Sequence, residues 1–108
     1  MIGEAEIRAM KSTAVVINVG RGPVLAEKAL VKALKERTIR GAALDVFDVE
    51  PLPAGHPYFK LDNLLLSPHC ADHTPGWIEG AIEIFLDNFE RFRNGAALRN
   101  VVDKRLGY

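Results

Sequence analysis

The feature that most constrains the fold is a change of hydrophobic period across residues 14–47. Residues 14–17 form an apolar, mostly β-branched run, which is typical of a strand covered on both faces in a parallel sheet. From Ala26 to about Thr38 apolar residues recur at helical spacing, and residues 41–47, with small side chains that let a helix pack closely, form a second predicted strand. Strand, helix and strand within about thirty residues predict a βαβ unit.

Further elements are predicted on both sides of this unit. They are a short helix over 3–11, a third strand over 64–66 and a helix that opens at Thr74 and Pro75 and ends near Arg93. The last helix carries an aromatic stripe wide enough to pack against more than one surface. A long irregular loop is predicted over 48–63, and residues 96–108 show little pattern. We therefore predict an α/β fold, a partial Rossmann-like doubly wound sheet of three parallel strands with helices.

Composition excludes several classes of function. Fourteen basic residues balance fourteen acidic ones, so the formal net charge is zero and gives no electrostatic case for a nucleic-acid or membrane partner. Cys70 is the single cysteine, and the sequence has no metal-type Cys/His spacing. We expect a cytoplasmic protein with no bound metal.

Candidate functional residues follow the predicted strands. Arg21 follows the first strand, Asp45 ends the second with Glu50 shortly after it, and His69 follows the third. Because ligands of open parallel sheets bind at the carboxyl ends of the strands, we expect these side chains to share a site. An arginine that binds carboxylate or carbonyl oxygen, beside a histidine whose protonated form a carboxylate favours, suits carbonyl reduction.

Each of these residues also has a purely structural interpretation. Arg21 alone fits a capping or salt-bridging residue of a tight turn. Glu50 fits an exposed loop carboxylate, and His69 fits a strand end without chemistry. His56 and His73 are expected at the surface. A purely structural interpretation suits Asp45 less well, because a carboxylate near a buried strand end needs a partner.

The turn at Gly20 and Gly22 does not complete a dinucleotide fingerprint. A third glycine or an alanine is required at position 25, where this sequence has Leu25. No other glycine spacing in the sequence supplies the motif.

The sequence resembles the D-isomer-specific 2-hydroxyacid dehydrogenase family from Met1 to about Arg93. The matching blocks are 18–22 (Asn-Val-Gly-Arg-Gly), 29–30 and 33–34 (Ala-Leu in both), 41–47 (Gly-Ala-Ala-Leu-Asp-Val-Phe), 50–53 (Glu-Pro-Leu-Pro) and 67–69 (Ser-Pro-His) with Thr74. The resemblance covers the C-terminal part of the family's NAD-binding domain and the helix and tail that follow. It implies that residues 1–74 belong to the dinucleotide-binding domain and that residues 75–108 return to the substrate domain.

The resemblance also implies residue roles. Arg21 would bind the carboxylate and carbonyl of a 2-keto acid, Glu50 would keep the histidine protonated, and His69 would be the acid/base. Asp45 would contact the nicotinamide carboxamide of NAD or NADP, with NAD favoured. The implied cofactor-binding residues are Asn18, Val19, Gly20, Arg21, Asp45 and His69.

Much of the family's sequence has no counterpart here, including the phosphate-binding glycine loop. We therefore expect a fragment of a hydride-transferring oxidoreductase, inactive in isolation, that acts on a small 2-keto or 2-hydroxy acid as part of a homodimer. The alternative is an NAD(H)-responsive binding or dimerisation module, as in corepressors that resemble the same family.

Overall fold

A computed structural model describes residues 1–107 of the protein. Over this range the chain forms three α-helices, two 3-10 helices and three β-strands. In chain order they are α1 (Glu4–Arg8), β1 (Val15–Asn18), a 3-10 helix (Gly22–Val24), α2 (Glu27–Lys35), β2 (Gly41–Leu44), a 3-10 helix (Pro57–Lys60), β3 (Leu64–Leu66) and α3 (Trp77–Arg93). The chain divides into two compact units, with the boundary between Ala71 and Asp72.

The three strands form one parallel sheet in the order β1-β2-β3. Val16 lies opposite Ala42, and Ala42 lies opposite Leu64. The α2 helix connects β1 to β2, which confirms the predicted βαβ unit. The partial Rossmann-like α/β fold is therefore confirmed, and all three strands point their carboxyl ends to the same edge of the sheet.

The core of the first unit lies between one face of the sheet and α2. The helical spacing predicted for α2 places Leu30, Ala33 and Leu34 in the interior, where they meet Leu44 of β2. Ile7 of α1 joins the same cluster. Since burial of a large aliphatic side chain contributes about 1.5–3 kcal/mol, this cluster is the main stabilising feature of the unit.

The opposite face of the sheet is exposed. Ile17 is 68% exposed and Leu65 is 71% exposed, and the register aligns both with Ala43 on this face. The prediction that the first strand is covered on both faces is therefore wrong for the described residues. Successive side chains of a strand point to opposite faces, and α2 covers only one of them.

Several element boundaries differ from prediction. The first helix ends at Arg8 rather than at residue 11, and the second strand ends at Leu44, so that Asp45 lies just beyond it. The last helix begins at Trp77, because Gly76 before it adopts a left-handed conformation with φ 81°. Its end at Arg93 is as predicted.

His56 is not the surface residue that we predicted. Its side chain is 12% exposed, and its Nε2 lies 3.1 Å from Oε1 of Glu27 in α2. Its Nδ1 accepts the backbone N–H of Tyr58 at 3.3 Å. These contacts fasten the loop over 48–63 to α2. His73 is exposed, as predicted.

The second unit contains α3 and the residues that follow it. No residue of α3 is buried, although Phe85 and Phe89 stack on each other with ring centroids 6.4 Å apart. Residues 96–107 form neither helix nor strand, and Tyr108 lies outside the described residues. Among residues 1–107, no helix has both the length and the apolar character needed to cross a membrane. The assignment of residues 75–108 to a return segment stays a prediction.

Candidate active site

The site is formed by three loops that leave the carboxyl edge of the sheet. Arg21 lies three residues after β1, Asp45 directly follows β2, and His69 lies three residues after β3. Glu50 is on the loop that follows Asp45. The parallel order of the strands therefore brings together residues that are far apart in the sequence.

The turn that carries Arg21 is organised by the side chain of Asn18. Its Oδ1 accepts the N–H of Gly20 at 3.1 Å, and its Nδ2 donates to the carbonyl oxygen of Arg21 at 3.0 Å. The guanidinium of Arg21 donates to the carbonyl of Gly20 at 2.7 Å. A guanidinium has five N–H donors, so most of them remain available to a ligand.

Gly22 is required by the protein backbone itself. A Cβ at this position would lie 2.1 Å from the carbonyl carbon of Phe47 and 2.5 Å from the backbone nitrogen of Asp48. At Gly20 the nearest atom would be Oδ1 of Asn18 at 3.6 Å, an ordinary contact. The turn after β1 therefore packs directly on the loop that leads to Glu50.

Glu50 and His69 form the central pair of the site. Nδ1 of His69 lies 2.7 Å from Oε2 of Glu50, while Oε1 of Glu50 accepts the N–H of Phe47 at 2.9 Å. His69 has a positive φ of 53°. The left-handed region is uncommon for a residue with a Cβ, so the surrounding contacts must hold this conformation.

Electrostatics favour the protonated form of His69. The hydrogen bond to Glu50 and the charge of Glu50 raise the pKa of the imidazole, and the charge of Asp45 adds to this effect. The hydrogen bond from His69 and that from Phe47 lower the pKa of the Glu50 carboxyl. The charge of Arg21 lowers the pKa of both groups, so its guanidinium is within electrostatic reach of the pair.

Asp45 is 3% exposed and accepts three hydrogen bonds. The hydroxyl of Ser67 and the N–H of Cys70 donate to Oδ1 at 2.6 Å and 2.9 Å, and the N–H of Ala71 donates to Oδ2 at 2.8 Å. The bond from Ser67 and those from the backbone lower the pKa of Asp45 to about 2. The carboxylate is therefore ionised and engaged within the protein.

A cavity of about 500 Å³ adjoins the Glu50–His69 pair. Its walls are largely apolar and are formed by Phe47, Pro51, Leu52, Phe59, Leu66, Ser67 and Pro68 together with the pair itself. Within the described residues no group of three or more His, Cys, Asp or Glu side chains is arranged to hold a metal ion.

The family profile described as "D-isomer specific 2-hydroxyacid dehydrogenase, NAD binding domain" matches residues 1–71. The chain belongs to this family. The match covers the whole first compact unit, and therefore every residue of the candidate site, so the resemblance predicted from the sequence motifs is confirmed.

Individual dehydrogenases of the family are similar over more of the chain. A glyoxylate reductase from Korarchaeum cryptofilum is 42% identical over 106 residues, which is 98% of this chain and 32% of that protein. One from Thermofilum pendens is 58% identical over 74 residues, or 68% of this chain and 22% of that protein. The chain thus spans about a third of the length of the first of these curated relatives and less of the second.

Solved dehydrogenase structures share the fold. The structure of a D-isomer specific 2-hydroxyacid dehydrogenase from Xanthobacter autotrophicus, in complex with NADPH and MES, has a TM-score of 0.89 at 39% identity, covering 99% of this chain and 43% of that one. An NADPH-dependent glyoxylate/hydroxypyruvate reductase from Sinorhizobium meliloti, in complex with NADP and sulfate, has a TM-score of 0.88 at 28% identity, covering 99% and 35%.

The sequence motifs named the residues of the candidate site but not the contacts that hold them in place. The structure brings Glu50 into contact with His69, and the charge of Arg21 acts on the pKa of both groups; their roles stay predictions. Asn18 contacts the turn after β1 through its side chain, and Ser67 bonds to Asp45. The sequence does contain a signal for the role of Ser67, because a hydroxyl two residues before His69, just after β3, can hydrogen-bond to a carboxylate at the end of the neighbouring strand β2.

Proposed function

We propose that this chain contributes the acid/base half of the active site of an NAD(P)-dependent 2-hydroxyacid dehydrogenase. The observation that carries the proposal is the 2.7 Å contact between Nδ1 of His69 and Glu50. It orients the ring, keeps a proton on the imidazole and leaves Nε2 free to donate to a substrate oxygen. The purely structural interpretation of Glu50, as an exposed loop carboxylate, does not explain this contact.

Arg21 would bind the substrate as an anion. Its guanidinium matches a carboxylate in geometry and charge, and it would also stabilise the negative charge that develops on the carbonyl oxygen during reduction. Together with protonated His69 it makes the site suitable for a small 2-keto acid such as glyoxylate, the substrate class named for the relatives.

The residues at the strand edge fit one end of a nicotinamide dinucleotide. Exposed Val19 offers an apolar surface beside Asn18, Gly20 and Arg21 at the edge where dinucleotides bind in such sheets. The backbone of Phe47 occupies the space next to Gly22, so this turn offers no phosphate cradle. When bound, the cofactor supplies the hydride, and His69 supplies the proton from Nε2.

We propose NAD rather than NADP as the preferred cofactor, a homodimer as the working assembly and the cytoplasm as the compartment. We also propose that the protein has no nucleic-acid or membrane partner, in line with its formal net charge of zero. A 108-residue chain without a phosphate cradle should not hold the cofactor alone, so micromolar binding of NADH, measured by nicotinamide fluorescence, would contradict this view.

A chimera tests the proposed chemistry. This chain would replace the matching segment of the Korarchaeum cryptofilum glyoxylate reductase, and reduction of glyoxylate would be followed with NADH and with NADPH. His69→Gln and Arg21→Ala should each lower kcat/KM by about 10²-fold or more. Asp62→Asn, which removes an exposed charge that pairs with Arg37, serves as the matched control.

Two results would refute the proposal. Retained turnover in both site variants would exclude the proposed roles of His69 and Arg21. Partner capture that depends on NADH, with no turnover in the parent chimera, would favour a nicotinamide-responsive binding module instead.

A further inference from the structure

His56 lies on the loop between β2 and β3, and the proposed chemistry gives it no role. All of its hydrogen-bonding groups are nevertheless engaged. Its N–H donates to the carbonyl oxygen of Pro53 at 3.1 Å, and its own carbonyl oxygen accepts the N–H of Phe59 at 3.1 Å. In the ring, Nδ1 accepts the N–H of Tyr58 at 3.3 Å, and Nε2 lies 3.1 Å from Oε1 of Glu27. His56 therefore joins the fold of this loop to the start of α2.

The backbone contact determines which ring nitrogen of His56 carries the proton. A backbone N–H can only donate, so the N–H of Tyr58 requires an unprotonated Nδ1. The proton of the neutral ring is then on Nε2, which donates it to Glu27. The two side chains are 12% and 31% exposed, so this hydrogen bond is largely shielded from water. The pair of Arg37 and Asp62, which joins the end of the same loop to the residues after α2, is exposed and should contribute little by comparison.

A row of three rings leads from His56 to the backbone that holds Glu50. The ring of His56 packs on that of Tyr58 with centroids 4.7 Å apart, and Tyr58 packs on Phe47 with centroids 6.3 Å apart. The N–H of Phe47 donates to one carboxylate oxygen of Glu50 at 2.9 Å, and the other oxygen lies 2.7 Å from Nδ1 of His69. Because packed side chains transmit displacement, a shift of His56 should reach Glu50 along this row.

We propose that His56 is a positioning residue: its neutral ring, hydrogen-bonded to α2, holds the loop where Glu50 meets His69. Glu27 is the anchor on α2, because it begins a helix whose apolar face is fixed in the core. The importance of this role for catalysis rests on the proposed function, but the contacts themselves do not.

The first test changes the anchor and uses NMR on the 108-residue chain. Glu27→Ala removes the acceptor for the Nε2 proton of His56, whereas Glu27→Gln removes the charge but keeps a side-chain oxygen that can accept this proton. In Glu27→Ala, amide hydrogen exchange at Phe47 should rise about threefold or more, because its bond to Glu50 is weakened. In Glu27→Gln it should stay close to the native rate. Unchanged exchange in Glu27→Ala would overturn the proposal, and so would equal effects of the two substitutions.

The pKa of His69 reports on the same contact independently. Glu50 and Asp45 raise this pKa and Arg21 lowers it, whereas Glu27 contributes no direct effect. In Glu27→Ala the pKa of His69 should therefore fall only because Glu50 has moved. The fall should disappear in a Glu50→Gln background. No fall, or a fall of equal size in both backgrounds, would overturn the positioning role.

Two control variants separate positioning from a general loss of stability. Ile7→Val removes a buried methyl group from α1 and should lower the stability of the same unit, but it does not touch the loop. Asp62→Asn removes an exposed charge from the loop itself. Both variants should leave the pKa of His69 unchanged. If either reproduces the fall expected for Glu27→Ala, the effect is general loosening and the proposal is overturned.

His56 itself is tested by spectroscopy and by substitution. Nitrogen NMR of the neutral ring should show the proton on Nε2, and a neutral ring with its proton on Nδ1 would overturn the proposal. His56→Asn keeps an oxygen that can accept the N–H of Tyr58, since Asn is a favourable cap, but its side chain is too short to reach Glu27. It should therefore lower the pKa of His69 as Glu27→Ala does, and a native value would overturn the proposal. Because the two substitutions break one bond from opposite sides, either suffices if the other variant does not fold.

The consequence for catalysis is tested in the chimera described above. Glu27→Ala should lower kcat for glyoxylate about tenfold, less than the loss expected on removal of the acid/base itself. KM should change little, because Arg21, the proposed substrate ligand, lies on the turn after β1. A raised KM with kcat intact would overturn the positioning role. A parent chimera without turnover would refute the proposed function but would leave the NMR results unaffected.

Discussion

The contact between Gly22 and the backbone of Phe47 gives the sharpest prediction on stability. A Cβ at position 22 would lie 2.1 Å, 2.3 Å and 2.5 Å from three backbone atoms of Phe47 and Asp48. Carbon atoms in contact are normally about 3.5–4.0 Å apart, so one of the two loops would have to move by more than about 1 Å. Overpacking in rigid surroundings typically costs 1–3 kcal/mol, and backbone atoms give way least.

We therefore expect Gly22→Ala to lower the free energy of unfolding by about 3 kcal/mol. For a unit of this size, that corresponds to a fall in Tm of roughly 12–24 °C, measured by circular dichroism of the 108-residue chain. Displacement of Phe47 would also disturb its N–H bond to Glu50, so the pKa of His69 should fall.

Gly20→Ala is the matched control. The added Cβ would meet Oδ1 of Asn18 at 3.6 Å, and neither glycine has a positive φ. The two substitutions therefore change the unfolded chain alike and differ only in the space available in the folded state. If Gly22→Ala unfolds within a few degrees of Gly20→Ala, the two loops are not in contact as described.

Three further substitutions are informative. Glu50→Gln should lower the pKa of His69. The raised pKa of His69 in the unsubstituted protein stabilises the fold below about pH 6.5, and this contribution is lost as the pH rises through the folded-state pKa. Urea midpoints between pH 5.5 and 8.5 should therefore depend less on pH in the variant, and an unchanged profile would refute the pairing of Glu50 with His69. Asn18→Ala removes two hydrogen bonds of the arginine turn and should raise the KM of the chimera for glyoxylate more than it lowers kcat; an unchanged KM would contradict the role of the turn. Leu30→Ala should cost about 2–5 kcal/mol in chemical denaturation, while exposed Leu65→Ala should stay within about 0.5 kcal/mol; similar losses for both would place the core elsewhere.

The sequence predicted those parts of the fold that depend on local pattern. The helical spacing around Leu30 and Leu34 and the apolar run that ends at Asn18 each identify their element without reference to the rest of the chain. Family motifs then brought Glu50 and His69 to one site. Short-range periodicity and strand order were sufficient for these predictions.

The remaining features depend on contacts between distant segments. The second strand was predicted to extend to Phe47 but ends at Leu44, because the sequence pattern does not reveal that the Asp45 side chain bonds to the loop after β3. His56 was placed at the surface because its partner Glu27 is 29 residues away. Coverage of Ile17 could not be predicted, because the alternating pattern that distinguishes a half-covered strand is absent from this run.

The position of β1 at the end of the sheet has a consequence for work in solution. Its only hydrogen-bonded neighbour among the described strands is β2, so one row of its backbone N–H and C=O groups can template another strand, beside an apolar face that includes Ile17. We expect the purified polypeptide to self-associate as its concentration rises. Scattering and NMR data should accordingly be collected as a dilution series, with charge substitutions at the outward face as a means of keeping the chain monomeric.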